Sequence, residues 1–136
     1  MSYATSAALQ TAIYTALTND ATVMALCHGA IHDKVPTGPV PDLYISLGPE
    51  RARDLSDKTK HASEHEFQVT IIANGAGFQQ IKTVAGAISD ALTDAQLTLT
   101  RGQLISLNFL RAEARREDTT REIDLWFLAR IDDTAL

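Results

Sequence analysis

The apolar positions change period near the middle of the chain. From Glu66 to Ala73, the apolar Phe67, Val69, Ile71 and Ala73 alternate with Glu66, Gln68 and Thr70, as in a strand with one buried face. Asn74, Gly75, Ala76 and Gly77 then break the alternation. From Phe78 the apolar residues recur at Ile81, Ala85, Ile88 and Leu92, in steps of three and four that draw one stripe along a helix. A strand that feeds a helix through a short glycine turn can fold the stripe back onto the sheet, and this contact predicts the core.

The flanks read the same way. A first helix is expected from Ser2 or Thr5 to about Thr18, with Leu9, Ile13, Ala16 and Leu17 on one face. Asn19 or Asp20 can cap a short second helix carrying Val23, Met24, Leu26 and Cys27, and Gly29 is placed to stop it in the left-handed conformation. A short apolar segment, Ile31 to Val35, leads into PTGPVP, whose prolines forbid a central strand. Leu43, Ile45 and Leu47 alternate with Tyr44, Ser46 and Gly48 and predict another strand. Pro49 to Ser63 is charged and has no apolar period, so a long exposed loop or extended hairpin arm is expected at about 49–64. Gln96 to Leu99 suggests a short extended piece, and Arg101 and Gly102 a turn.

Leu104 to Ala114 and Arg121 to Ile131 predict two antiparallel strands joined near Glu117, Asp118, Thr119 and Thr120. In the last strand Ile123, Leu125, Phe127, Ala129 and Ile131 share one face. Trp126 and Leu128 lie on the other, among Glu122, Asp124, Arg130 and Asp132. A tryptophan beside a leucine on a charged face marks a surface that another part of the chain or another subunit covers. The expected fold is a single-domain α+β sandwich: a mostly antiparallel sheet of about five to six strands, two main helices on one face, and a short helix after the first.

Composition narrows the function. The 136 residues suit one domain with its own core. A net charge of -5 argues against nucleic-acid binding through a broad basic face. The single cysteine, Cys27, excludes an internal disulfide, fits a reducing cytoplasm, and in its apolar setting reads as a core residue. No apolar run is long enough to cross a bilayer, and the N-terminal stretch lacks the pattern of a signal peptide. The expectation is a soluble protein made inside the cell, with no membrane partner.

Candidate chemistry is thin. His28 and His32, with Asp33, and His61 and His65, between Glu64 and Glu66, have the four-residue spacing that suits a metal on a helix. Gly29 interrupts the first pair, the second falls at a strand entry, and no HExxH order is present; surface histidines and no metal are expected. Gly75 and Gly77 stand where a phosphate loop would lie, but Gln80 occupies the third glycine position and no lysine follows a GxxxxG, so a tight turn and no cofactor are expected. There is no GxSxG elbow and no evident Ser, His and Asp set. Arg111, Arg115, Arg116 and Arg121 with Glu113, Glu117 and Asp118 read as a structural charge network, with a phosphate-touching basic edge as the alternative. Nothing requires catalysis.

The stretches LQTAIYTALTNDATVMAL, GAIHDKVPTG, PDLYISLG, GFQQIKTVAGAISDAL, LTL and REIDLWFLAR occur in an order and spacing, punctuated by Pro36, Pro41, Gly48 and Gly77, that resembles the tail-terminator or tail-completion family of long-tailed bacteriophages, prophages and gene transfer agents. One departure is the last turn, with Asp118 and Thr119 where an Asp-Gly pair is more usual. The resemblance implies a non-enzymatic, sixfold ring on the head-proximal end of the tail tube, which stops tube growth and docks to the head connector. It also implies a channel through which DNA passes without sequence-specific binding, and a location in the bacterial cytoplasm during assembly and then at the head–tail junction.

On that footing Trp126 and Leu128, with Tyr44 on a neighbouring strand, are expected at the subunit contact. Arg51, Arg53, Asp54, Asp57, Lys58 and Lys60, with Pro36 and Pro39, are expected to reach the tail tube protein or the connector. The other readings are a neck or head-completion ring protein and, more distantly, a small cytosolic nucleotide-binding enzyme.

Overall fold

The computed structural model describes residues 3–33, 41–75 and 77–134. The first helix, α1, spans Thr5–Thr18 and buries Ala8, Leu9, Ala12, Ile13 and Leu17, a stripe at helical spacing that leaves Tyr14 exposed. The second, α2, spans Ala21–Cys27; the Asp20 carboxylate accepts from the Val23 amide at 2.9 Å and caps it. Its stop differs from expectation, because His28 already takes the left-handed conformation (φ 53°) and Gly29 (φ 81°) follows in the same region.

The strands are β1 (Ile31–His32), β2 (Leu43–Asp54), β3 (Ala62–Asn74), β4 (Gln103–Glu117) and β5 (Thr120–Asp132), with helix α3 (Phe78–Leu92) between β3 and β4. They form one sheet in the order β1-β2-β3-β5-β4. All its pairings are antiparallel except that of β1 with β2. The α+β sheet with two main helices and a short one stands as the sequence predicts.

Register explains the core. Phe67 pairs with Phe127, Val69 with Leu125 and Ile71 with Ile123, so one face of the central strands is apolar in unbroken rows. The Phe67 and Phe127 rings stack at 5.5 Å. Ile81, Val84, Ile88 and Leu92 of α3, with Leu9, Ile13 and Leu17 of α1, complete the same buried cluster, which includes the free Cys27.

Two stretches take a definite form. In the polar stretch from Pro49 to Ser63, expected as a long exposed loop or an extended hairpin arm, β2 runs on to Asp54 and β3 begins at Ala62, leaving 55–61 as the connection. After a register shift between Leu47 and Glu50, at Gly48 (φ 96°), Glu50, Ala52 and Asp54 pair with Phe67, His65 and Ser63. The apolar period is missing here because the inward positions carry polar Glu50, Ser63 and His65, while Arg51, Arg53, Glu64 and Glu66 turn outward. Residues Gln96 to Leu99 form no strand; Leu97 and Leu99 pack half-buried against the core from irregular chain. At the β4–β5 turn Asp118 has φ 53°, a conformation that aspartate tolerates better than most side chains.

Candidate contact surface

All three helices lie on one face of the sheet, and the opposite face carries the outward residues of four strands. Its basic side chains, Arg51, Arg53, Arg111, Arg115 and Arg130, are interleaved with Glu64, Glu66, Glu113, Glu122 and Asp124. Glu64 takes Arg53 at 3.0 Å and Arg130 at 3.4 Å. Arg115 pairs with Glu122 and, at 3.4 Å, with Asp124, which also accepts from the Thr70 hydroxyl at 2.9 Å. The arginine cluster of the last hairpin is thus partly a structural network, as its mixed sequence suggests.

Within this face Trp126 and Leu128 are half-buried. Trp126 lies opposite Arg111, whose guanidinium sits 3.9 Å from the centre of the indole ring, and Leu128 lies opposite Asn108. Tyr44 is not on an adjacent strand. It belongs to β2, separated from β5 by β3, in the row of Ile72 and Glu122, and its ring meets His32 at 6.2 Å. Arg51 instead shares a groove of about 300 Å³ with Pro49, Glu66, Arg111 and Trp126, so the structure joins members of the two predicted contact sets.

Asp57, Lys58 and Lys60 lie in the connection after Asp54, at the end of the sheet where 132–134 also arrive; Pro36 and Pro39 lie outside the described residues. Hydrogen bonds from Ser56 to Asp54, from Thr59 to Asp57 and from Thr134 to Asp132 hold these three carboxyls below the ordinary aspartate value.

The flank beyond β5 went unrecognised. Strand β4 is paired on one side only, and every residue from Asn108 to Glu117 is exposed, including Phe109, Leu110, Ala112 and Ala114. Register shifts between Leu104 and Ser106 and between Phe109 and Arg111 leave Ile105 and Leu110 as the extra residues. Apolar residues at both parities, Leu104, Ile105, Leu107, Phe109 and Leu110, were the available signal.

The fold also brings together a set that the sequence did not suggest. The buried His65 meets Ser63 Oγ at 3.0 Å and Thr5 Oγ1 at 3.2 Å through Nε2, and Glu50 Oε2 at 3.2 Å through Nδ1. Glu50 also accepts from Tyr3 at 2.6 Å and from Ser6 at 2.8 Å. The order serine, histidine, carboxylate resembles a hydrolase relay, but Ser63 and His65 are 2% and 0% exposed and no substrate can reach them. The cluster ties the start of α1 to the sheet. Beside it, the space among Leu9, Ile13, Leu47 and Phe67 is about 20 Å³, enough for a single water. Among the described residues no group of three His, Cys, Asp or Glu side chains is placed to hold a metal.

A broad open sheet face, the exposed edge of β4 and a sealed polar cluster suit a structural protein. The chain belongs to the tail completion protein gp17 family, whose model matches residues 11–132. It is similar to a chain in the virion of a native gene transfer agent particle, with 48% identity, a TM-score of 0.92, and coverage of 96% of this chain and 99% of that one. A second solved structure, 14% identical with a TM-score of 0.59 over 93% of this chain and 97% of its own, shares the fold. No curated protein matches. Family and fold together make this a non-enzymatic structural protein.

Two outcomes follow. Glu50→Ala removes the acceptor shared by Tyr3, Ser6 and His65 and should cost about 1–3 kcal/mol in urea unfolding; an unchanged midpoint would mean that α1 is anchored otherwise. Because folding lowers the pKa values of Asp54, Asp57 and Asp132, their contribution is complete above the ordinary value of 3.8 and is lost as pH falls through the folded-state values below it. Protection of the Ser56, Thr59 and Thr134 amides, measured against the intrinsic exchange rate at each pH, should therefore fall below that pH while Val69 stays protected, and equal behaviour at all four would refute a local effect.

Proposed function

We propose that this tail completion protein is a tail terminator: it forms a ring on the head-proximal end of the tail tube, stops tube growth and presents a surface to the head connector. The observation that carries the reading is the likeness over nearly the full chain, at 48% identity, to a component of a gene transfer agent virion. The architecture fits, since a ring of identical copies needs a rigid sheet with two free flanks and contacts that close on themselves. Trp126 and Leu128 on β5 and Tyr44 on β2 stand on the same outward sheet face with β3 between them, and we assign them to the contact between copies.

Arg51, Arg53 and the connection bearing Asp57, Lys58 and Lys60, with the Pro36 and Pro39 segment, are the parts assigned to the tube or connector. The charges of the open sheet face are interleaved and mutually paired, so they offer a passing DNA duplex no basic track to hold it.

Particles lacking the gene test the function. Overlong tails or polymerised tube are expected, whereas normal tails detached from filled heads would identify a neck protein instead. Trp126→Ala tests the contact: loss of a buried tryptophan anchor costs about 2 kcal/mol or more at an interface, so light scattering should show smaller species. A ring of unchanged mass would refute that placement.

A further inference from the structure

We infer that the outer edge of β4 pairs with the same edge of a second copy across a two-fold axis centred on Ala114, giving the free protein an isologous dimer. The pairing runs antiparallel over Arg111–Glu117. It goes beyond the ring reading and does not rest on it, because neighbours in a cyclic ring are related by no such axis.

The edge is available. Strand β4 is paired only with β5 among the described strands, and every residue from Asn108 to Glu117 is exposed. The register shift between Phe109 and Arg111 is the last one, so Arg111–Glu117 is regular strand. A two-fold axis perpendicular to the sheet reverses the strand, keeps the helices of both copies on one face, and asks nothing of any other edge.

Charge selects both the partner and the register. Arg111, Glu113, Arg115 and Glu117 stand opposite Trp126, Asp124, Glu122 and Thr120 on the open sheet face, so their signs alternate along one row. Reversed, the row is its own complement. Residues directly opposite in an antiparallel pair share a face, so the axis must fall on a residue. With Ala114 on the axis, Arg111 meets the partner's Glu117 and Glu113 meets the partner's Arg115, each twice by symmetry. Centred on Glu113 or on Arg115, the row would set like charges against each other. Centred on Ala112, it would run Ala114 into the shifted Phe109 and Leu110.

Within one copy the row is unfinished. Arg111 and Glu117 have no ion pair among the described residues, and Glu113 stands opposite Asp124, a like charge. Only Arg115 is paired, with Glu122 and Asp124. A second copy brings an opposite charge to Arg111, Glu113 and Glu117 together. On the helix side Ala112 and Ala114, opposite Leu125 and Ile123, add little bulk, so two backbones can approach.

Cysteine placement and charge reversal test the pairing on the isolated full chain. Light scattering should give twice the mass of one copy. Ala114→Cys should join two copies by a disulfide on mild oxidation, because the two Cα atoms on the axis lie about 5 Å apart. Ala112→Cys should not, since in this register it lies about 14 Å from its symmetry mate. The native Cys27 is 2% exposed and does not compete. Glu117→Arg should weaken the dimer about tenfold, and Arg111→Glu in the same chain should restore it. A monomer or a ring in place of the dimer, no cross-link with Ala114→Cys, or an equal one with Ala112→Cys overturns the pairing. So does a dimer indifferent to Glu117→Arg, or a loss that Arg111→Glu leaves uncorrected. The ring reading is decided separately, by the particles lacking the gene.

Discussion

The register between β3 and β5 is the constraint from which the rest of the molecule follows. These strands are the innermost pair of the sheet, matched residue for residue from Ala62 with Asp132 to Asn74 with Thr120. Because the side-chain period is two, a slip by one would turn Phe127 and Leu125 away from the helices and put Trp126 and Asp124 against them. The correct register sorts the chain into an apolar face under α1, α2 and α3 and a charged face with no cover. Phe67 stacked on Phe127, and the ion pairs around Glu64 and Asp124, are two consequences of one alignment.

The helix layer is narrower than the sheet. Helix α3 covers β5 and β3 and reaches the start of β4, where the Asp94 amide donates to Leu107 at 2.9 Å. Beyond Leu107 none of the described residues on the helix side buries β4. A bare strand of this length invites indiscriminate pairing unless something restricts it, and here two register shifts bend the edge while Arg111, Glu113, Arg115, Arg116 and Glu117 stud its outer half. Those devices discourage indiscriminate strand pairing.

Much of this was legible because local periodicity and burial agree. Phe67 to Ala73 and Phe78 to Leu92 announced their elements, and all but half-buried Phe78 of their marked apolar residues are buried. Legibility failed where a strand buries polar groups: Glu50, Ser63 and His65 occupy inward positions, satisfied by one another and by α1, so the end of β2 and the start of β3 read as a loop or extended arm. Partners such as Thr5 and His65 lie far apart in sequence, and no local pattern encodes their meeting. The open sheet face was half readable. Trp126 and Leu128 betrayed the uncovered face, but strand order, which alone separates Tyr44 from them and exposes β4, follows from long-range pairing.

The cluster of Ser63, His65 and Glu50 shows why residue types and distances do not by themselves define a catalyst. A nucleophile must meet its substrate, and a developing oxyanion needs donors aimed at open space. Here the hydroxyl is sealed, the imidazole is wholly buried, and the glutamate spends its oxygens on Tyr3 and Ser6 as well as His65. Each group satisfies another's buried polarity, so the arrangement holds α1 to the sheet at the same inward positions that hid the strand from view. Its chemistry is cohesion, not catalysis.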